Sequence, residues 1–164
     1  VRYVDWLLST PINVLYLALL AQASRETTGK LVGLQALTIV FGFAGAVTSG
    51  AIAYALFALG AAAFAGVVYL LYNDVADAAV ASLSDVEVSL YRTLRNFVVV
   101  LWSVYPVVWL LGAAGVGLMD VETASLVIVY LDVVTKVGFG VIALHAWLTI
   151  DSVTAADGTA VAAD

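Results

Sequence analysis

The chain has no cysteine and a single histidine among its 164 residues. Without thiols there are neither disulfides nor thiolate-bound metals, and one imidazole cannot build a histidine metal cluster. No metal site is therefore expected. Charge is scarce too: 11% of residues are Asp, Glu, Lys or Arg, and 6 basic against 12 acidic residues leave a net charge of −6. The basic residues form no run that could grip a phosphate backbone, which argues against nucleic acid as a partner. What fills the chain is apolar: 64% of it is hydrophobic, with a mean hydropathy of +1.09. A soluble domain carries roughly 45 to 50%. This is the composition of an integral membrane protein, and the lipid bilayer is its first partner.

A membrane-crossing helix needs about 20 residues. Polar breaks divide the chain into five such runs, at about 3–23, 31–49, 51–73, 88–113 and 123–149. The breaks are the loop at 24–30, the tight turn at 48–50, the acidic stretch from Asn73 to Asp85, and the glycine-rich connection at 112–122. The expected fold is all-α, one bundle over 1–149, followed by a small, polar tail at 150–164 that reads as disordered. The chain opens on Val1, and Arg2 leads straight into an apolar helix with no signal-type leader. A fragment of a longer protein is expected. Arg25, Lys30, Arg92 and Arg95 fall on one side of the bundle, while the 48–50 and 112–122 connections carry no Lys or Arg. The positive-inside rule puts the first set in the cytoplasm, hence Arg2 at the outer end and the C-terminal tail inside. Gly42, Gly45, Gly60, Gly66, Gly138 and Gly140 lie within helices, where small residues permit close packing or leave room for a ligand.

The last apolar run carries two charges, Asp132 and Lys136, one turn apart on the same face. A charge near the bilayer midplane costs roughly 2.5 to 3.5 kcal/mol or more, so Lys136 needs a partner or a chemical task. Asp132 can be that partner. The first helix adds Asp5, with Ser9 four residues on and Arg2 nearer the end. One reading is a structural ion pair. The other is a lysine that condenses with an aldehyde, its carboxylates acting as counterions. Trp102, Tyr105 and Trp109 recur at spacings of three and four, and Pro106 should kink their helix. Such a stripe is packing or, beside a buried lysine, one wall of a slot for a flat conjugated ligand. Trp6, Phe57 and Phe64 could supply other walls.

Three segments together resemble the microbial rhodopsins, seven-helix proteins that carry retinal. Arg2-Tyr-Val-Asp-Trp-Leu-Leu-Ser-Thr-Pro11 is similar to the third-helix signature, Arg95-Asn96 through Trp102-Ser-Val-Tyr-Pro-Val-Val-Trp109 to the sixth, and Leu131-Asp-Val-Val-Thr-Lys-Val-Gly-Phe-Gly140 to the seventh. The resemblance spans residues 1 to 149 and implies that two helices precede Val1. It implies all-trans retinal on Lys136 as a protonated Schiff base, Asp5 as primary counterion and proton acceptor, Asp132 as second counterion, and Arg2 as the outer arginine of the cluster. Retinal would lie between Trp102 and Trp6, with Tyr3, Thr10, Gly42, Phe57, Gly60, Tyr105, Pro106 and Trp109 lining the pocket. Ser9 replaces the family's usual threonine and keeps a hydroxyl that can bond Asp5. Gly60, Ala61 and Thr135 would line the colour-tuning region.

Within the family, the departures point to a sensor. Eleven positions after Asp5, where pumps place a proton-donating carboxylate, stands Tyr16, and a tyrosine of ordinary pKa about 10 donates poorly at neutral pH. Ala114 and Ala124 stand where pumps carry outer glutamates, although Asp120 and Glu122 lie close by. Thr135 resembles a phoborhodopsin threonine that bonds the tyrosine at Tyr105 and couples isomerisation to signalling, and Tyr130 resembles one that meets the transducer. Taken singly, Thr135 could bond its own preceding turn and Tyr130 could face lipid. His145 is either a proton-transfer group or an interfacial packing residue. The resemblance thus implies a phototaxis photoreceptor, not an enzyme, in the cell membrane with a membrane transducer as partner; self-assembly into a homo-oligomer is compatible with it. The alternative is a light-driven proton pump. Chloride pumping is disfavoured because Asp5 is charged. An opsin-related protein without photochemistry is disfavoured because Lys136 is retained.

Overall fold

The computed structural model describes the backbone of residues 2–161, with side chains through residue 148 apart from that of Trp147. Seven helices follow one another: α1 (Arg2–Leu20), α2 (Arg25–Ala46), α3 (Gly50–Tyr72), α4 (Asp74–Ser82), α5 (Asp85–Trp102), α6 (Val104–Leu111) and α7 (Val121–Val161). No strand occurs among the described residues. By length and composition they make five membrane spans, because α3 and α4 run on into one, as do α5 and α6. The tail expected over 150–164 has side chains outside the described residues, as is the backbone of 162–164; the backbone of α7 runs through Val161.

Two breaks differ from the sequence reading, and each has a local cause. The acidic stretch after Asn73 is helix, not loop. Asp74 and Asp77 sit in the first turn of α4, where carboxylates favour the positive end of the helix dipole, and Val75 and Ala79 are fully buried. The fourth run is divided at Ser103. Pro106 has no N–H to give the Trp102 carbonyl four residues back, and its ring crowds that carbonyl. Ser103 closes the preceding helix instead, its N–H and Oγ both donating to the Val99 carbonyl, at 3.0 and 2.7 Å.

The outer surface is greasy and the interior is split. Val4, Leu8, Ile12 and Leu19 on α1 are each more than 60% exposed, a stripe that only a lipid solvent suits. Inside, one half of the bundle is a packed apolar core: Val14, Leu17 and Ala18 on α1, Leu31 on α2, Val67 and Leu71 on α3, Val75 and Ala79 on α4, Leu94 and Val98 on α5. The other half holds a cavity. Small residues set the approach of the helices. A Cβ on Gly138 of α7 would lie 2.6 Å from Phe97 Cζ of α5, one on Gly66 would lie 3.0 Å from Leu34, and one on Gly45 would lie 3.2 Å from the Ala53 carbonyl. Gly60 is nearly as close to α2, whereas a Cβ on Gly140 would meet open space. The packing reading thus holds for four of the six glycines, and Gly42 faces the Tyr3 ring in the cavity wall.

At the core end, α3 finishes with no basic residue in its last turn, so α5 supplies the missing partners. Tyr91 is buried and its hydroxyl donates to the Leu71 carbonyl, one of the carbonyls a helix end leaves unpaired. The Arg95 guanidinium lies 3.9 Å above the Tyr72 ring, and Asn96 Oδ1 accepts from the Tyr72 hydroxyl at 2.9 Å. Tyr91→Phe leaves that carbonyl buried and unpaired, at a cost of about 1 to 3 kcal/mol. Reversible unfolding of the full-length protein in mixed detergent measures it; a variant as stable as the parent would mean that the hydroxyl carries no weight.

Candidate functional site

Lys136 projects from the middle of α7, and its Nζ forms an ion pair with Asp5 Oδ2 on α1. The partner is therefore the carboxylate across the bundle, not the intrahelical Asp132. Asp132 is engaged elsewhere. Its Oδ1 accepts from the Trp6 indole N–H at 2.8 Å and from the Tyr105 hydroxyl at 2.8 Å. One carboxylate oxygen thus ties α7 to both α1 and α6. Two carboxylates at similar depth end in different states: Asp132 is held by two neutral donors, and Asp5 by a cation.

The aromatic residues around them form a slot. Trp6 stands edge-on to Tyr3, ring centroids 5.1 Å apart, and to Tyr105 at 5.2 Å. Phe57 of α3 stacks on Trp109 of α6 at 4.4 Å, with planes 16° apart. Tyr3, Trp6, Thr10, Gly42, Phe57, Gly60, Trp102, Tyr105, Pro106, Trp109, Asp132, Thr135 and Lys136 all line one cavity of about 150 Å³. Ala61 and Phe64 lie in the same wall. A primary amine opening into an apolar, ring-walled slot can condense with a flat conjugated aldehyde and hold it by stacking.

Other expected residues fall elsewhere. Ser9 does not bond Asp5: its Oγ is buried without a partner, because the Asp5 carboxylate turns toward α7. Arg2 makes no ion pair within 4 Å among the described residues. Thr135 is buried, donates to the Asp132 carbonyl at 3.4 Å and lines the same cavity as Tyr105. Tyr130 is 70% exposed on the outer face of α7. Tyr16 stands against Phe139, ring centroids 5.5 Å apart and nearly perpendicular.

Five wall residues escaped the sequence reading: Asn13, Gln35, Thr38, Ile39 and Ile128. Gln35, Thr38, Ile39 and Gly42 recur at helical spacing on α2, so the face that carries Gly42 marked the other three. Asn13 lies one turn beyond Thr10 on the same face of α1.

Asp120 precedes α7 and accepts from the Thr123 hydroxyl at 2.6 Å and the Thr123 N–H at 2.8 Å. Those bonds, the hydroxyl first, hold its carboxyl below the ordinary value of 3.8, so it is a poor reservoir for an outer proton. The bonds stabilise the start of α7 above the unfolded carboxylate pKa and are lost as pH falls through the lowered folded one. A carbon-13 titration of Asp120 should give a midpoint below 3.8; one at or above that value would contradict the capping geometry.

The profile of the bacteriorhodopsin-like proteins matches residues 1–150. The chain is 75% identical to sensory rhodopsin-2 of Haloarcula vallismortis, over 100% of this chain and 70% of that protein. It is 40% identical to bacteriorhodopsin of Halobacterium salinarum, over 88% of this chain and 55% of that one. Among solved structures, a cyanorhodopsin from Calothrix sp. NIES-2098 superposes with a TM-score of 0.85 at 33% identity, over 88% of this chain and 63% of its own.

Proposed function

The chain belongs to the bacteriorhodopsin-like protein family, and from that membership we propose that it is the retinal-binding part of a light sensor of the sensory rhodopsin II kind. The observation that carries the reading is the Lys136 amine opening into the aromatic slot with Asp5 as its ion partner. The lining suits retinal: Trp6, Phe57, Tyr105 and Trp109 supply aromatic walls, and Gly42 presents no side chain where the wall meets the Tyr3 ring. Bound there as a protonated Schiff base at Lys136 Nζ, all-trans retinal supplies absorption of visible light and an isomerisation that changes its shape.

The chain's own groups do the rest. Asp5 Oδ2 is aligned to take the proton from Lys136 Nζ. Asp132, held by two donors from α1 and α6, anchors the site. Trp102, Tyr105, Pro106 and Trp109 lie on either side of the break at Ser103, so pressure in the slot acts on a hinge, and α5 turns it into movement at the far end of the helix. Thr135 stands between Asp132 and Tyr105 and couples α7 to that hinge. Tyr130, facing outward, suits contact with a membrane transducer. We place the protein in the cell membrane with residues 1–149 as its bundle and the Arg25, Lys30, Arg92 and Arg95 end in the cytoplasm, together with the C-terminus.

Tyr16 supports reporting over transport. It stands against Phe139, and no hydrogen bond or ion pair joins it to a carboxylate among the described residues, so proton return is slow and the activated form persists long enough to be read. The full-length protein mixed with all-trans retinal should develop a visible band that Lys136→Ala abolishes. After a flash, the deprotonated form should decay over a time on the order of hundreds of milliseconds, within the range of signalling transitions. Decay within a few milliseconds together with a sustained outward proton current would favour a pump; absence of the band would remove the photoreceptor reading.

A further inference from the structure

Three polar side chains line the cavity wall beyond those that the sequence marked, and two of them are constrained. Thr38 donates to the Leu34 carbonyl at 2.9 Å. Gln35 donates through Nε2 to Thr10 Oγ1 at 2.8 Å, while Thr10 gives its own proton to the Trp6 carbonyl at 2.8 Å. The remaining Gln35 Oε1 is sealed from solvent. Asn13 differs. It is only partly buried, it borders the cavity, and among the described residues no protein group bonds its amide. An amide offers two donors and an acceptor, and at the edge of a cavity such a group is normally satisfied by water.

Its position gives that water a task. On one side of Asn13 is the cavity into which Lys136 opens. On the other, Val14, Leu17 and Ala18 are fully buried, and Tyr16 meets Phe139. Asn13 is the floor of the cavity at the point where the apolar core begins. We propose that the Asn13 amide seats a water molecule that returns the proton to Lys136 Nζ from the Tyr16 end of the bundle, a positioning role that rests on the photoreceptor reading above. In this step a water O–H bond breaks as an N–H bond forms at Nζ. The hydroxide held by the Asn13 N–H groups then takes a proton from the aqueous phase beyond Tyr16. The chain thus replaces a carboxylate donor with a fixed water, which conducts a proton but stores none.

The test uses the full-length protein with bound retinal and the variants Asn13→Leu and Asn13→Asp. Infrared difference spectra in heavy water should show an O–D stretch of a bound water that N13L loses and N13D keeps. N13L should slow proton return by about tenfold or more, the scale of a lost proton-transfer group. In N13D the return rate should become pH-dependent across the carboxylate range. An unchanged water band, or a return rate within about twofold of the parent, overturns the inference while the photoreceptor reading stands. Should N13L not fold, the near-isosteric N13D decides alone, and a pH-independent rate there overturns the inference. Failure of the parent protein to form a visible band removes both.

Discussion

Everything in the site depends on one oxygen atom, Asp132 Oδ1, which accepts from Trp6 Nε1 and Tyr105 Oη at once. A carboxylate inside a bilayer is tolerable only when its charge is met by donors. Here the donors come from α1 and α6, and their rings meet edge to face in the cavity wall. The requirement to satisfy Asp132 therefore also builds two walls of the cavity. It leaves Lys136, one turn further along α7, to reach across to Asp5. The difference between the carboxylates follows: one is fixed by neutral hydrogen bonds and the other pairs with a cation.

The rest of the bundle keeps this arrangement asymmetric along its length. The packed core from Val14 to Ala79 closes one half, so the cavity and its charges are confined to the other. Pro106 places a helix break beside the aromatic wall instead of within the core. Tyr91, Arg95 and Asn96 pin the middle of α5 to the end of α3. Under the proposed photoreceptor reading, a strain in the slot meets a hinge first and a latch afterwards, the order needed for a local change of shape to become a movement of a whole helix.

Much of this was legible in the sequence, for physical reasons. Apolar runs of membrane length are unambiguous in a chain this poor in charge, and five spans follow from them. A lysine in such a run is too costly to be incidental. The spacing of Trp102, Tyr105 and Trp109 revealed a wall because helical period maps directly onto a face. The kinship with rhodopsins is borne out by relatives of known name. What stayed hidden were the choices among donors and acceptors. Spacing alone offered Lys136 the intrahelical Asp132, whereas the rhodopsin resemblance named Asp5 first, and the ion pair is with Asp5. Likewise Ser9 lies on the correct face for Asp5 and still misses it. The acidic stretch after Asn73 looked like a loop because its two buried apolar positions, Val75 and Ala79, are too few to show a period. Asn13 and Gln35 share helix faces with Thr10 and Gly42, a signal that shows only once those two are known to line a cavity.

The central claim is that Asp5, and not Asp132, is free to take the proton from Lys136. Light-minus-dark infrared spectra of the full-length, retinal-bound protein test it directly, since a carboxylate that becomes protonated gains a carbonyl stretch. The expected result is a positive carboxylic-acid band that disappears in Asp5→Asn and persists in Asp132→Asn. A band that persists in Asp5→Asn and disappears in Asp132→Asn would contradict the division of labour between the two carboxylates.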